Sequence, residues 1–259
     1  MSFSVKCFGT GDGLPCADRN HAAFLYRFGQ TSLLLDCGEA VDRSYKASGL
    51  SYDAIDTIFL SHLDSDHIGG FFMLMQGLWL EKRRKDLPVY LPGDAIQPLR
   101  QMLQTVLIFD ELLQFRLRLL PLRAKKPQPV GGVRVTPFRT SHLDGLRARF
   151  QKKYRADFSA YCFLLESAQR RVGHSADLGK PEDLEPLLAK PLDLLVCELS
   201  HFSPERVFSY LSGRAIKRIV FVHLARHLRA NLAGTRRLAA KMLPRIPHTF
   251  ARDFDEIRF

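Results

Sequence analysis

The segment Ser61-His62-Leu63-Asp64-Ser65-Asp66-His67-Ile68-Gly69-Gly70 constrains this chain more than any other. Two imidazoles and two carboxylates fall within six positions, directly after the apolar run Ile58-Phe59-Leu60, a buried-strand candidate. His62 and Asp64 are two apart, so an extended chain aims both to one side. Asp66 and His67 are adjacent, and a loop can direct them at a second point. That spacing suits two metal ions rather than one. Gly69 and Gly70 permit a sharp turn before the next helix. A helix N-terminus there favours ionised carboxylates, the form that binds metal. The plainer reading is a polar loop with helix-capping aspartates and two surface histidines.

Further donors recur at strand ends. Ser141-His142-Leu143-Asp144 follows a strand at 133–137, and His223 follows one at 219–222. Between them, Gly173-His174-Ser175-Ala176-Asp177 is a turn that sets an aspartate after a strand. Singly, each reads as a surface or capping residue. Together they supply the imidazoles and the bridging carboxylate that two adjacent divalent ions need.

The organisation around these loops is α/β. Strands are expected at 3–8, 22–28, 31–35, 58–60, 89–91, 133–137, 161–165, 194–197 and 219–222, with Gly29-Gln30 as a hairpin turn. Helices are expected at 71–85, 95–107, 180–189, 204–211 and 230–242. Pro181 suits a first helical turn. Lys82-Arg83-Arg84-Lys85 suits a solvated helix C-terminus. The pattern describes two mixed sheets packed face to face with helices outside. Residues 1–259 are expected to form one domain of two pseudo-repeated halves joined near 122–131, since neither half alone carries a complete set of donors.

Composition narrows the class. The chain is 46% hydrophobic and 25% charged, which excludes disordered, collagenous and coiled-coil classes. No apolar run reaches the ~20 residues a bilayer span needs. Met1 to Cys7 shows no basic segment followed by a long apolar one, so no secretory signal is expected. Cys7, Cys16, Cys37, Cys162 and Cys197 are widely spaced, with no Cys-x-x-Cys. Free thiols in a cytoplasmic protein follow, with Cys197 packed in a core strand. Lys and Arg total 38 against 27 Asp and Glu, a net charge of +11. Such a surface meets an anionic partner or is simply solvated.

The chain resembles the metallo-β-lactamase superfamily, and within it the ribonuclease Z-like branch. The resemblance rests on the histidine–aspartate loop, on Gly9-Thr10-Gly11-Asp12-Gly13-Leu14-Pro15 followed by Arg19-Asn20, and on Asp36-Cys37-Gly38-Glu39. The closing Ala251-Arg252-Asp253-Phe254 is similar to the family's Ala-x-Asp-Gly, with Phe254 in place of the glycine. The resemblance implies a four-layer αββα sandwich. It also implies a dinuclear site in which His62, Asp64 and His142 hold one ion, Asp66, His67 and His223 hold the other, and Asp177 bridges both. Hydrolases of this family usually carry histidine where this chain has Asp64. A carboxylate is a harder ligand, so Mn or Fe gains relative to Zn, which is otherwise the expected ion. Flavodiiron relatives also place a carboxylate here, but this chain has no spare length for their flavin domain.

The resemblance further implies hydrolysis of a phosphodiester by a hydroxide held between the ions, with Asp66 a ligand that can also orient it. The leaving alkoxide needs a proton. His201 stands one helix–strand unit before His223, the place of the family's catalytic histidine, and Glu198 or Glu205 would orient its ring. Its plainer role is a neighbour of a helix N-cap. Arg226 and His227 follow His223 where the family binds phosphate, although the Ser-x-Arg pattern is not kept.

Arg147, Arg149, Lys152, Lys153 and Arg155 form an acid-free basic stretch after His142, with Phe150 and Tyr154 interleaved for stacking on a base. Arg147 and Lys152 are therefore substrate-binding candidates, against the alternative of a solvated helix face. Only 35 positions separate His142 from Asp177, too few for the Gly/Pro-rich arm with which ribonuclease Z grips tRNA. The expected substrate is a small or cyclic phosphodiester or a short nucleic acid. A ribonuclease Z-type endonuclease, a di-iron redox protein and a non-catalytic nucleic-acid binder are the alternatives. Relatives often form dimers, so a homodimer is an expectation from the resemblance; no membrane partner is expected.

Overall fold

The computed structural model describes residues 3–259, so Met1 and Ser2 of the opening segment lie outside the described residues. Two seven-stranded mixed sheets stack face to face. The first contains β1 (Phe3–Gly9), β2 (Ala23–Phe28), β3 (Thr31–Leu35), β4 (Thr57–Phe59), β5 (Leu87–Leu91), β6 (Leu117–Pro121) and the C-terminal β14 (Glu256–Arg258), which pairs with β1. The second contains β7 (Gln128–Val130), β8 (Val133–Thr140), β9 (Ala160–Glu166), β10 (Arg171–His174), β11 (Leu194–Leu199), β12 (Ile219–Leu224) and β13 (His248–Phe250). The chain leaves the first sheet after Pro121 and enters the second at Gln128.

Strand sequence explains the layering. Side chains alternate faces along a strand. Phe24, Tyr26, Leu33, Leu35 and Phe59 point into the space between the sheets, where they meet Val135, Phe163, Val172, Val196 and Val220. Their neighbours Leu25, Leu34 and Ile58 point outward and are covered by α1 (Val41–Ala47), α3 (Phe71–Leu80) and α4 (Ile96–Thr105). The outer face of the second sheet is covered by α6 (Glu185–Leu188), α7 (Pro204–Leu211), α8 (Arg226–Ala230) and α9 (Leu232–Met242). Both sheets are thus apolar on two faces, which is why their strands read as continuous apolar runs. The architecture is the four-layer αββα sandwich.

The helix boundaries differ from the sequence expectation in three places. The helix expected over 71–85 stops at Leu80, and Arg83 is buried instead of solvated. Its side chain turns inward because four backbone carbonyls, those of Tyr52, Ile55, Lys85 and Asp86, accept its N–H groups. The segment expected as one helix over 180–189 is a 3-10 turn at Pro181–Leu184 followed by one short α-turn. The helix expected from Ala230 begins at Leu232, after a break at Asn231 whose side chain caps it through the Gly234 N–H. All five cysteines are free, and no helix is long and apolar enough to cross a membrane among the described residues.

Candidate metal centre

The donors collect at the carboxyl ends of strands, where open α/β sheets present their loops. β4 ends at Phe59, two residues before Ser61 and three before His62, β8 ends at Thr140, two before His142, and β10 ends at His174, three before Asp177. His223 is the penultimate residue of β12, held at φ +50, a left-handed conformation that costs energy for a residue with a Cβ. Its N–H donates to the Thr10 carbonyl (2.9 Å), which ties it to the glycine-dense loop after β1.

Two clusters result. In one, His62, Asp64 and His142 approach each other: Asp64 Oδ2 lies 3.2 Å from His142 Nε2 and 3.6 Å from His62 Nε2. In the other, Asp66, His67, Asp177 and His223 converge. There His67 Nε2 lies 3.4 Å from Asp66 Oδ2 and 3.3 Å from Asp177 Oδ1, and His223 Nε2 lies 3.4 Å from Asp177 Oδ2. Asp177 Oδ2 is also 3.7 Å from His142 Nε2 and 3.8 Å from His62 Nε2, so this one carboxylate faces both clusters. All seven residues expected as metal ligands are therefore brought together.

Whether cations fit here is decided by the donors themselves. Nε2 of His62, Nε2 of His67 and Oδ1 of Asp177 are buried without a hydrogen-bond partner among the described residues. Buried polar atoms are rarely left so in proteins, and inward-facing nitrogens beside carboxylates are what a divalent ion takes. The charge states agree at His62, Asp64 and Asp177. At His67 and His223 burial is outweighed by Asp177, joined at His67 by Asp36, and both imidazoles are raised, so an ion entering there displaces protons. Burial pushes the His62 imidazole down to about 4, helped by neighbouring His67, so it is a neutral ligand at physiological pH. Burial alone would raise the Asp177 carboxyl, but His223 and His67 outweigh it and hold the group ionised. Burial likewise opposes ionisation of Asp64, and His142 and His62 overcome it. Neutral imidazole and ionised carboxylate are the forms that metal binding requires.

Supporting contacts fix the ligands. Asp36, at φ +60, accepts from the Ser61 N–H (2.7 Å), the Ser61 hydroxyl (2.8 Å) and His67 Nδ1 (2.8 Å), leaving His67 Nε2 to face the site. In the sequence Asp36 is visible only as part of the Asp36-Cys37-Gly38-Glu39 motif. Its fixed sequence distance from His67 carries no hint of their contact, because the pairing of β3 with β4 creates it. Backbones pack closely at the same place: a Cβ on Gly38 would lie 2.3 Å from the Asp66 carbonyl oxygen, and one on Gly70 would lie 2.4 Å from that of Gly38. The C-terminal motif closes the loop from the other side. Asp253 accepts from the Thr10 N–H (2.9 Å), the Thr10 hydroxyl (2.7 Å) and the Asn20 N–H (2.6 Å).

His201 lies at the edge of the donors, with Nε2 3.8 Å from Asp177 Oδ2. Its Nδ1 donates to Glu198, whose oxygens also accept from the Leu178, Ser200 and His201 N–H groups. Glu198, and not Glu205, is its partner. Arg226 is the first residue of α8 and lines a cleft with Leu14, Cys16 and Arg229 on the glycine-loop side. His227 follows it on α8. Arg147 lies on α5 (Asp144–Phe150) and Lys152 just beyond it. Both are exposed, and Arg147 donates to Gln151. Phe150 and Tyr154 lie under cations of their own segment, Arg149 and Lys153.

A family model described as Anti-Pycsar protein Apyc1 matches residues 3–212. Ribonuclease Z of Archaeoglobus fulgidus is 31% identical over 143 residues, which is 55% of this chain and 45% of that protein. The chain thus aligns with under half the length of that relative. The metallo-β-lactamase fold protein YhfI of Bacillus subtilis superposes with a TM-score of 0.79 over the whole of both chains at 18% identity. Human tRNase Z, short form, superposes with a TM-score of 0.70 over 98% of both chains at 20% identity. At such identity these structures establish the fold, which is the metallo-β-lactamase fold.

Proposed function

The chain belongs to the Anti-Pycsar protein Apyc1 family, and from that membership and its site we propose that it is a metal-dependent phosphodiesterase for a small or cyclic phosphodiester or a short nucleic acid. The observation that carries the reading is the pair of donor clusters sharing Asp177, with His201 at their edge. His62, Asp64 and His142 would hold one divalent ion, Asp66, His67 and His223 the other, and Asp177 both. Such ions supply Lewis acidity toward a phosphoryl oxygen and lower the pKa of a water to near neutrality. Zn is the first expectation, and Mn or Fe gains relative to a site with histidine in place of Asp64.

The protein's own groups do the rest. Asp66 orients the attacking water through its carboxylate. His201 gives the departing alkoxide a proton from Nε2, while Glu198 accepts from Nδ1 and so keeps the ring aimed at the donors. Arg226 and His227 are candidates for a phosphate oxygen at the second cluster. Five free cysteines fit a reducing compartment, and cytoplasmic placement is part of this proposal.

RNA is the second reading, favoured by the exposed cations Arg147, Arg149, Lys152 and Lys153 and by the identity to the archaeal ribonuclease Z. Turnover of bis(p-nitrophenyl) phosphate by protein loaded with Zn, Mn or Fe tests the main reading. We expect activity that Asp66→Asn abolishes. No activity with any ion at full occupancy overturns the hydrolase.

A further inference from the structure

A cleft of about 590 Å³ lies between the segment 17–20, α1, the α8–α9 junction and the turn that joins β13 to β14, and no step above uses it. Four guanidiniums line it, those of Arg19, Arg43, Arg229 and Arg252, against the carboxylates of Asp18 and Asp253. Two of the four are committed. Arg19 Nη1 donates to the Thr10 hydroxyl (2.5 Å) and the Ala251 carbonyl (2.6 Å), and Arg229 holds Asp12 (3.3 Å) and the Cys16 sulfur (3.0 Å). Asp253 is committed too, since its oxygens accept from Thr10 and Asn20. Arg43 and Arg252 are exposed, and among the described residues neither guanidinium has an ion-pair or hydrogen-bond partner. Like charges are crowded here. Burial lowers the Arg19 guanidinium, and Arg229 and Arg252 lower it further against the pull of Asp253 and Asp18. Cations arranged this way are completed by an anion, and guanidinium forks match phosphate best.

Phe254 lines the same cleft, with its ring 51% exposed on a backbone at φ +69. The Cys7 carbonyl accepts its N–H (2.6 Å) and holds it there. Strained residues of this kind collect at ligand sites. An exposed aromatic face beside unpaired guanidiniums can take a base and a phosphate together. We propose that the cleft is a second ligand site, for a nucleoside monophosphate whose phosphate contacts Arg43 and Arg252 and whose base stacks on Phe254. The volume falls within the ~300–1,000 Å³ of sites that hold a whole small ligand. Inorganic phosphate shares the anionic part of this chemistry but leaves the Phe254 ring uncovered. The site uses none of the residues assigned to the metal centre, so it stands apart from the hydrolase.

Calorimetric titration of the full chain with AMP and with inorganic phosphate tests this. We expect AMP to bind about tenfold tighter than phosphate or better. Phe254→Gly should remove that advantage and leave phosphate binding as it was, while Phe254→Tyr should keep it. Arg43→Ala and Arg252→Ala should each weaken both ligands about tenfold. These two side chains are exposed and unpartnered, so the variants keep the fold, which circular dichroism checks. AMP binding should also survive EDTA and Asp66→Asn. AMP that binds no tighter than phosphate, or is unmoved by Phe254→Gly and Arg252→Ala, overturns the site. So does AMP binding lost with EDTA or in Asp66→Asn, which would seat the nucleotide at the metal donors instead.

Discussion

Glu198 meets His201 through both carboxylate oxygens, each 2.9 Å from Nδ1. Burial alone would lower the His201 imidazole, but this carboxylate more than offsets it and raises the group to about 9. A general acid works while protonated, so activity should persist below that value and fall as pH rises through it. Replacing Glu198 by Gln leaves burial to act, and the alkaline limb of the kcat profile should move to lower pH. His201→Ala should cost about 10²–10⁴-fold in kcat and remove that limb. The double variant should be little worse than His201→Ala, because the two residues act as one unit. A Glu198→Gln limb that stays in place would refute the assignment.

The cysteines give a second expectation. Cys7, Cys37, Cys162 and Cys197 are fully buried, and burial pushes each thiol up. Cys16 is half-buried and receives an N–H from Arg229 at 3.0 Å. With a chromogenic disulfide reagent under native conditions, Cys16 should react quickly and the other four only on unfolding. A fast phase of two or more thiols contradicts the packing.

Arg83 is a core residue despite its charge. Its guanidinium satisfies four carbonyls and stands over the Phe115 ring at 5.5 Å. Arg83→Met leaves those carbonyls without donors, at a cost of about 3 kcal/mol or more. For a chain of this size that lowers Tm by about 6–12 °C. A change within about 2 °C would mean that water replaces the guanidinium freely.

How legible these features were in the sequence follows from where their signal lay. The metal loops stood out because donors in quick succession after apolar runs have few structural explanations. The long core strands were legible for the same reason, being apolar on both faces. The edge strands β6, β7, β13 and β14 were not, because they carry mixed residues such as Gln128-Pro129-Val130, and neither was the short interior strand β10, whose Gly173 and His174 read as a turn. Arg83 read as solvent because its acceptors are backbone carbonyls, which no side-chain pattern reveals. The role of Asp36 and the cleft beside Phe254 arise only when segments far apart in sequence meet. In the basic stretch 147–155, composition marked five cations, but the four that line this cleft come from four separate segments.

Phe254 occupies a position with φ +69, where the family's motif carries glycine. A side chain there costs about 1–2 kcal/mol in backbone strain. The ring is 51% exposed and recovers little of this by burial. The greater freedom of glycine in the unfolded chain offsets about half the gain. Phe254→Gly should therefore raise Tm by about 1–4 °C. A fall in Tm would show that the ring packs usefully where it lies.

Asp64 is the residue at which metal preference should be decided. In its cluster, two imidazoles are joined by this carboxylate and faced by Asp177, whereas an all-imidazole set would be softer. Zn binds imidazole and thiolate donors well, and Mn and ferrous ions gain relatively as oxygen replaces nitrogen. Absolute affinity still follows the usual divalent order, so the informative quantity is a ratio. Competition titrations with Zn and Mn on the metal-stripped protein should give a Zn-over-Mn ratio at this cluster about tenfold lower than in Asp64→His. Each cluster offers two imidazoles, one carboxylate of its own and Asp177. Anomalous scattering from crystals grown with both ions should therefore show no sorting between the clusters in the native protein and Zn drawn to the altered cluster in Asp64→His. His142 Nε2 lies 3.2 Å from Asp64 Oδ2, so a histidine here also changes how that ring is held. Asp64→Asn separates the two effects, since it keeps a hydrogen-bonding oxygen and removes the charge. If Asp64→His and Asp64→Asn both leave the ratio as it is, Asp64 is not a ligand, and the cluster is completed by His62, His142 and Asp177 alone.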